Sequence, residues 1–145
     1  MTVVFDAEPL LAFSFDETGA DAVERWLDRV YDGERAGYVT TINLAEFRYV
    51  AGRKASLAKA DTYIDHLRDM GISSYDVDGL WEPASELKAT HTPSIGDVYA
   101  LAAAKELGAD GRDVTLLVGA DDDFDALERT AEFGDLLERF RDHPV

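Results

Sequence analysis

Carboxylates are the side chains of this chain whose placement could do chemistry together. Asp6 closes a short β-branched and aromatic run, Thr2–Phe5. Glu46 has Ile42, Tyr49 and Val50 as its i−4, i+3 and i+4 neighbours, so helical periodicity puts its carboxylate on a buried face. Asp97 is the only acid between Glu86 and Glu106, and Ala100, Leu101 and Ala104 share its face. Asp121, Asp122, Asp123 and Asp125 follow directly on an apolar run at 115–118. A carboxylate in apolar surroundings must be offset by a proton or a cation. Isolated carboxylates converging at one sheet edge, with no Cys or His among them, form an all-oxygen site that suits Mg²⁺ or Mn²⁺.

Each position also has a structural reading. Asp6 could equally be the N-cap of a following helix. Glu46 could pair with an arginine, but Arg48 and Arg53 point elsewhere on an ideal helix, which favours the ligand role. Ser94-x-x-Asp97 is close to a capping box. Of the four late acids, Asp121 comes first after the strand and Asp123 two residues on. Asp122 and Asp125 read as a solvated face, and Phe124 as a core residue.

The elements that must position these groups alternate. Strands are predicted at 2–5, 38–41, 72–77 and 115–118, with a possible fifth at 130–133. Helices are predicted at 7–13, 16–32, 42–53, 56–70, 78–90 and 94–107. A short helix or turn follows at 121–127, and 136–141 reads as a terminal helix or ordered tail. The stripe Ala22, Val23, Trp26, Leu27 and Val30 gives the second helix its buried face, and Leu57, Ala60, Tyr63, Ile64 and Leu67 do the same for the fourth. The helix at 42–53 is expected to bury Ile42, Ala45, Tyr49 and Val50, and that at 78–90 Leu80, Trp81, Ala84 and Leu87. Strands alternating with helices imply a parallel sheet covered on both faces, an α/β class.

With 145 residues and 46% hydrophobic content, one domain spanning 1–145 is expected. The absence of cysteine excludes disulfides and zinc–thiolate centres. No apolar run approaches the ~20 residues of a membrane span, and the N-terminus has no signal-like basic region. The expectation is a soluble, cytoplasmic protein with no membrane association. The three histidines, His66, His91 and His143, have no metal-ligand spacing and read as surface residues. No Gly-rich phosphate loop and no G-x-S-x-G elbow is present.

The formal charge is −16, from 30 acidic against 14 basic residues. Spread along folded-looking segments, these acids read as a halophilic, salt-adapted surface, since at ~1 M salt the Debye length is only about 3 Å. The alternative is an acidic mesophilic protein kept soluble by its charge. Such a charge opposes nucleic-acid binding. One stretch breaks the pattern: 47–60 holds no acid but carries Arg48, Arg53, Lys54 and Lys59. These either contact backbone phosphates or are ordinary surface charge.

Four pieces in order, Val3–Asp6, 41–49 (Thr-Ile-Asn-Leu-Ala-Glu-Phe-Arg-Tyr), 95–105 (Ile-Gly-Asp-Val-Tyr-Ala-Leu-Ala-Ala-Ala-Lys) and 117–124, give the chain a resemblance to the PIN-domain nucleases. It most closely resembles the VapC-like ribonuclease toxins of VapBC-type toxin–antitoxin pairs, over nearly its whole length. The resemblance implies a three-layer α/β/α fold with a four- to five-stranded parallel sheet, and hydrolysis of RNA phosphodiesters with one or two Mg²⁺ or Mn²⁺. It implies that Asp6, Glu46, Asp97 and Asp121 are the core catalytic and metal-binding carboxylates, that Asp123 is an auxiliary metal ligand and that Asn43 orients the site. It also implies a homodimer and a VapB-like antitoxin partner. One departure is Gly119, where the family usually has Thr or Ser.

Three alternatives compete with this reading. A haloacid-dehalogenase-type phosphatase needs Asp two residues after its nucleophile, where Glu8 follows Asp6 here, and also a late-strand lysine. A PIN nuclease of RNA processing without antitoxin differs little in sequence, and a degenerate PIN binding module is opposed by the four intact carboxylates.

Overall fold

Strand β1 (Thr2–Phe5) lies in the middle of the sheet and is buried from Val3 onward, because other elements cover both of its faces. The computed structural model describes residues 1–142. Its five strands run parallel in the order β3-β2-β1-β4-β5, with β2 at Ala36–Thr40, β3 at Ile72–Tyr75, β4 at Val114–Val118 and β5 at Leu137–Arg139. The register sets Val4 opposite Tyr38 on one side and Leu116 on the other. Neighbouring residues of each strand then serve opposite layers. Val3, Phe5 and Leu117 belong to one core, and Val4, Leu116 and Val118 to the second.

The first core is roofed by α1 (Ala7–Ser14), α2 (Ala20–Tyr31), α3 (Thr41–Lys54) and α4 (Leu57–Asp69), through Leu10, Leu27, Phe47 and Ile64 among others. The second is roofed by α5 (Trp81–Thr90) and α6 (Ile95–Leu107) with Leu80, Ala84 and Leu101, and is closed by Phe124, Leu127 and Phe133. This is the three-layer α/β/α arrangement with a parallel sheet that the alternation of elements implied. α6 buries Gly96 through Ala104 except Tyr99, a run of small side chains that lets the helix approach the sheet closely.

Several local expectations are corrected. The fifth strand is Leu137–Arg139, not 130–133. The 130–136 segment is a series of turns that delivers Phe133 to the core with no exposure. No terminal helix occupies 136–141. α3 turns Asn43, Phe47 and Ala51 inward, while Ala45 and Tyr49 are exposed. The helix begins at Thr41, and its orientation follows Asn43, whose buried hydrogen bonds outweigh apolar periodicity. Trp81 and Leu57 are also exposed. Trp81 opens α5 just after the 3-10 turn Asp78–Leu80, so Leu80 takes the buried place. Leu57 stands at the first turn of α4, against Gly52. The α2 stripe is buried at Val23, Leu27 and Val30, with Ala22 and Trp26 half-buried.

Candidate acidic site at the carboxyl edge of the sheet

The strand order reverses at β1. From there the chain crosses to β2 on one side, and β4 enters on the other. In open parallel sheets the crevice beyond the carboxyl ends of such strands is where ligands bind. Asp6 follows β1 directly, at the N-cap position of α1, yet its side chain makes no capping hydrogen bond. It is 5% exposed and accepts a 3.2 Å hydrogen bond from Asn43 Nδ2. The N-cap role is therefore positional only, and the carboxylate is turned to another use.

Asn43 is itself wholly buried. Its Nδ2 also reaches the Gly96 carbonyl at 3.3 Å, while Thr40 Oγ1 donates to Asn43 Oδ1 at 2.5 Å and accepts from the Asn43 N–H at 3.0 Å. Thr40 thus caps α3 and locks the amide that holds Asp6. The site consequence of Thr40 is absent from the sequence reading. Its signal was the Thr-x-x-Asn spacing immediately after a β-branched run.

Asp97 is 8% exposed and takes the capping role that its spacing from Ser94 offers. Ser94 and Asp97 form a full capping box at the start of α6, with Asp97 accepting from the Ser94 N–H at 3.2 Å. Its carboxyl also faces that of Asp6. Burial first, then the charges of Asp97 and Glu46, push Asp6 well above the usual carboxylate range. Burial likewise raises Asp97, opposed by its Ser94 and Asp6 hydrogen bonds, with the charge of Asp121 adding to the rise. The ionisation of each carboxyl therefore depends on the other. Glu46 is half-buried and raised by burial and by the Asp97 charge, with an Asn43 hydrogen bond opposing. Gly96 makes room here: a β-carbon on it would stand 3.2 Å from Glu46 Oε1.

Asp121 stands at the exposed rim and accepts from the Asp123 N–H at 2.9 Å. Its link to the pair is electrostatic, through Asp97. Asp123 is half-buried one step further along this turn. Asp122 and Asp125 are exposed, and Asp125 pairs with Arg139 at 2.8 Å. Arg139 also donates to the carbonyls of Gly119 and Asp121 at 2.8 and 2.7 Å, so β5 braces the turn that carries Asp121. Sequence reasoning assigned Arg139 no role.

Among the described residues, no ion pair reaches Asp6, Asp97 or Glu46. No three Asp, Glu or His side chains among the described residues stand close enough together to hold a metal ion as placed. The donor set is a buried pair, Asp6 and Asp97, with Glu46 and Asp121 flanking it. All-oxygen donors crowded without a positive partner fit a hard cation, which would supply the counter-charge they lack.

The basic stretch at 47–60 is largely committed elsewhere. Arg48 pairs with Asp61 at 2.8 Å and Lys54 with Glu17 at 2.5 Å, while Arg53 and Lys59 lie over the rings of Tyr49 and Tyr63. His66 is exposed and stacks on Phe13, His91 is half-buried, and His143 lies outside the described residues.

Fold and crevice define a class: a small parallel α/β protein with a carboxylate cluster at its topological switch point. The PIN domain model matches residues 3–130, and the chain belongs to the PIN-domain family. No curated protein matches the sequence significantly. Seven chains of solved structures match it in fold. One is the crystal structure of VapBC2 from Rickettsia felis bound to a DNA fragment from their promoter, with a TM-score of 0.68 and 14% identity, covering 96% of this chain and 98% of that one. At this identity the likeness is one of fold. No helix among the described residues is long and apolar enough to cross a membrane.

Proposed function

We propose that this protein is a Mg²⁺- or Mn²⁺-dependent endoribonuclease, the toxin of a toxin–antitoxin pair. The observation that carries the reading is the Asp6–Asp97 pair: two buried carboxylates from separate elements, facing one another with no cationic side chain among the described residues to offset them. Membership of the PIN family supports the nuclease class. A structural neighbour crystallised as VapBC2 on promoter DNA supports an antitoxin partner, here VapB-like. A cytoplasmic homodimer of single 1–145 domains completes the proposal, and size-exclusion chromatography with light scattering tests the dimer.

Asp6 and Asp97 would hold the cation, with Glu46 and Asp121 as further ligands and Asp123 as an auxiliary. When bound, the cation supplies a water of lowered pKa, polarises the phosphate and stabilises the leaving oxygen. The chain's own residues prepare for this. Asn43 fixes the Asp6 carboxylate, and Thr40 fixes Asn43. The capping box fixes Asp97 at the start of a long, rigid helix. Glu46, half-exposed at the mouth, is placed to orient a water or the phosphate. With the basic side chains of 47–60 engaged elsewhere, the protein meets RNA at this crevice chiefly through the cation, and added salt lowers the repulsion from the −16 surface.

The test is cleavage of labelled single-stranded RNA. Activity is expected with Mg²⁺ or Mn²⁺ and lost in EDTA, and Asp6→Asn and Asp97→Asn should each reduce it at least a hundredfold. Equal cleavage in EDTA, or full activity in either variant, contradicts the proposal.

A further inference from the structure

The turn after β4 holds an acidic side chain that the proposed reaction does not use. Glu8 lies on the first turn of α1, two residues past Asp6. Its carboxylate crosses to the β4 turn and accepts the Ala120 N–H at 3.1 Å, with Arg141 standing 3.6 Å away. The Arg141 side chain is almost wholly buried, donates to the Thr18 carbonyl at 3.0 Å, stands 3.8 Å from Glu17 and lies over the Phe140 ring. The carboxylate fits there for one reason. A β-carbon on Gly119 would coincide with the carboxyl group of Glu8, so only glycine at 119 leaves the space open. The absence of a side chain at Gly119 and the presence of Glu8 are therefore a single feature.

The geometry points to Glu8 as a positioning residue that sets the Ala120–Asp121 peptide relative to Asp6. The same α1 that begins at Asp6 reaches over and pins the backbone one residue before Asp121. Arg139 holds that turn from the far side, through the Gly119 and Asp121 carbonyls. Between them the two contacts fix where Asp121 stands with respect to the Asp6–Asp97 pair. The backbone at Ala120 needs an acceptor at that point, and Glu8 supplies it without itself entering the pair. This inference rests on the nuclease reading for its consequence in catalysis, but not for its geometry.

Four variants test it: Glu8→Ala, Glu8→Gln, Gly119→Ser and the double variant Glu8→Ala with Gly119→Ser. The displaced group at Gly119→Ser is the far end of a flexible side chain, so the protein should stay folded with Tm within a few degrees of wild type. Glu8→Ala and Gly119→Ser should each lower kcat for RNA cleavage about tenfold with KM little changed, and weaken Mn²⁺ binding. Glu8→Gln should stay close to wild type, since its amide oxygen still accepts the Ala120 N–H. The double variant should be no worse than the poorer single one, because both changes break the same contact. Amide exchange at Ala120 should quicken in Glu8→Ala and Gly119→Ser and stay slow in Glu8→Gln. Wild-type kcat in Glu8→Ala, a Glu8→Gln variant as impaired as Glu8→Ala, or multiplicative losses in the double variant would overturn the inference. Should wild-type protein cleave no RNA, the nuclease reading fails, and Ala120 exchange alone then decides the positioning claim.

Discussion

Asp6 is the residue on which the site turns, and its environment predicts two opposite effects of one substitution. Its carboxyl is raised by burial and by neighbouring charge, so between the ordinary carboxylate range and its folded value the native state holds a proton that the unfolded chain has released. Stability from this group is present at low pH and is lost as pH rises through the folded value. Asp6→Asn removes that penalty, and its amide can still accept from Asn43. Without divalent cations at pH 7–8, the variant should be more stable than the wild type in urea unfolding, and its advantage should shrink toward pH 4 while RNA cleavage stays low. Asn43→Ala should do the reverse on stability, costing about 1–3 kcal/mol for the buried partners it strands and lowering cleavage roughly 10–100-fold. At this scale the sequence was informative where a lone acid stood among apolar residues, as at Asp97. It was misleading at Glu46, where apolar counting placed Ala45 and Tyr49 inside. The inward face of α3 is set by the Asn43 amide, and a buried polar anchor leaves no trace in hydrophobic periodicity.

At the scale of elements, each carboxylate depends on how its helix or strand ends. α3 starts with Thr40 as its cap, and α6 with the Ser94–Asp97 box. The β4 turn is held from one side by Glu8 of α1 and from the other by Arg139 of β5, a strand of three residues. Leu137-Glu138-Arg139 was not readable as a strand because an edge strand of a parallel sheet needs little apolar character and is blunted by charge. Phe133, four residues earlier, was the stronger β signal, but it serves the core from a turn. Arg139 is only 15% exposed and satisfies two carbonyls as well as Asp125 and Glu128. Arg139→Ala should destabilise the protein by about 1–2 kcal/mol and weaken Mn²⁺ binding by loosening Asp121. Circular-dichroism melts and a metal titration check the two effects separately. Unchanged metal affinity in a folded Arg139→Ala protein would detach β5 from the site.

For the whole molecule, the alternation of strands and helices was enough to give a parallel sheet covered on both faces. It was the sheet order, placing β1 between β2 and β4, that brought widely separated acids to one edge. No composition argument reveals that order. The −16 charge bears on stability across the entire surface: screening at molar salt reduces self-repulsion. Tm should therefore rise by several degrees between 0.1 and 2 M KCl, and a fall would contradict that account of the charge. The claim on which the proposed function rests is narrower: the Asp6–Asp97 pair, pushed toward its protonated form by burial, takes up a hard cation in exchange. Calorimetric titration of Mn²⁺ at pH 7 in buffers of different ionisation enthalpy measures both binding and proton release. The account predicts saturable binding with net proton release in the wild-type protein and loss of both in Asp97→Asn. Binding of equal strength in Asp97→Asn, or no binding by the wild-type protein, would contradict it.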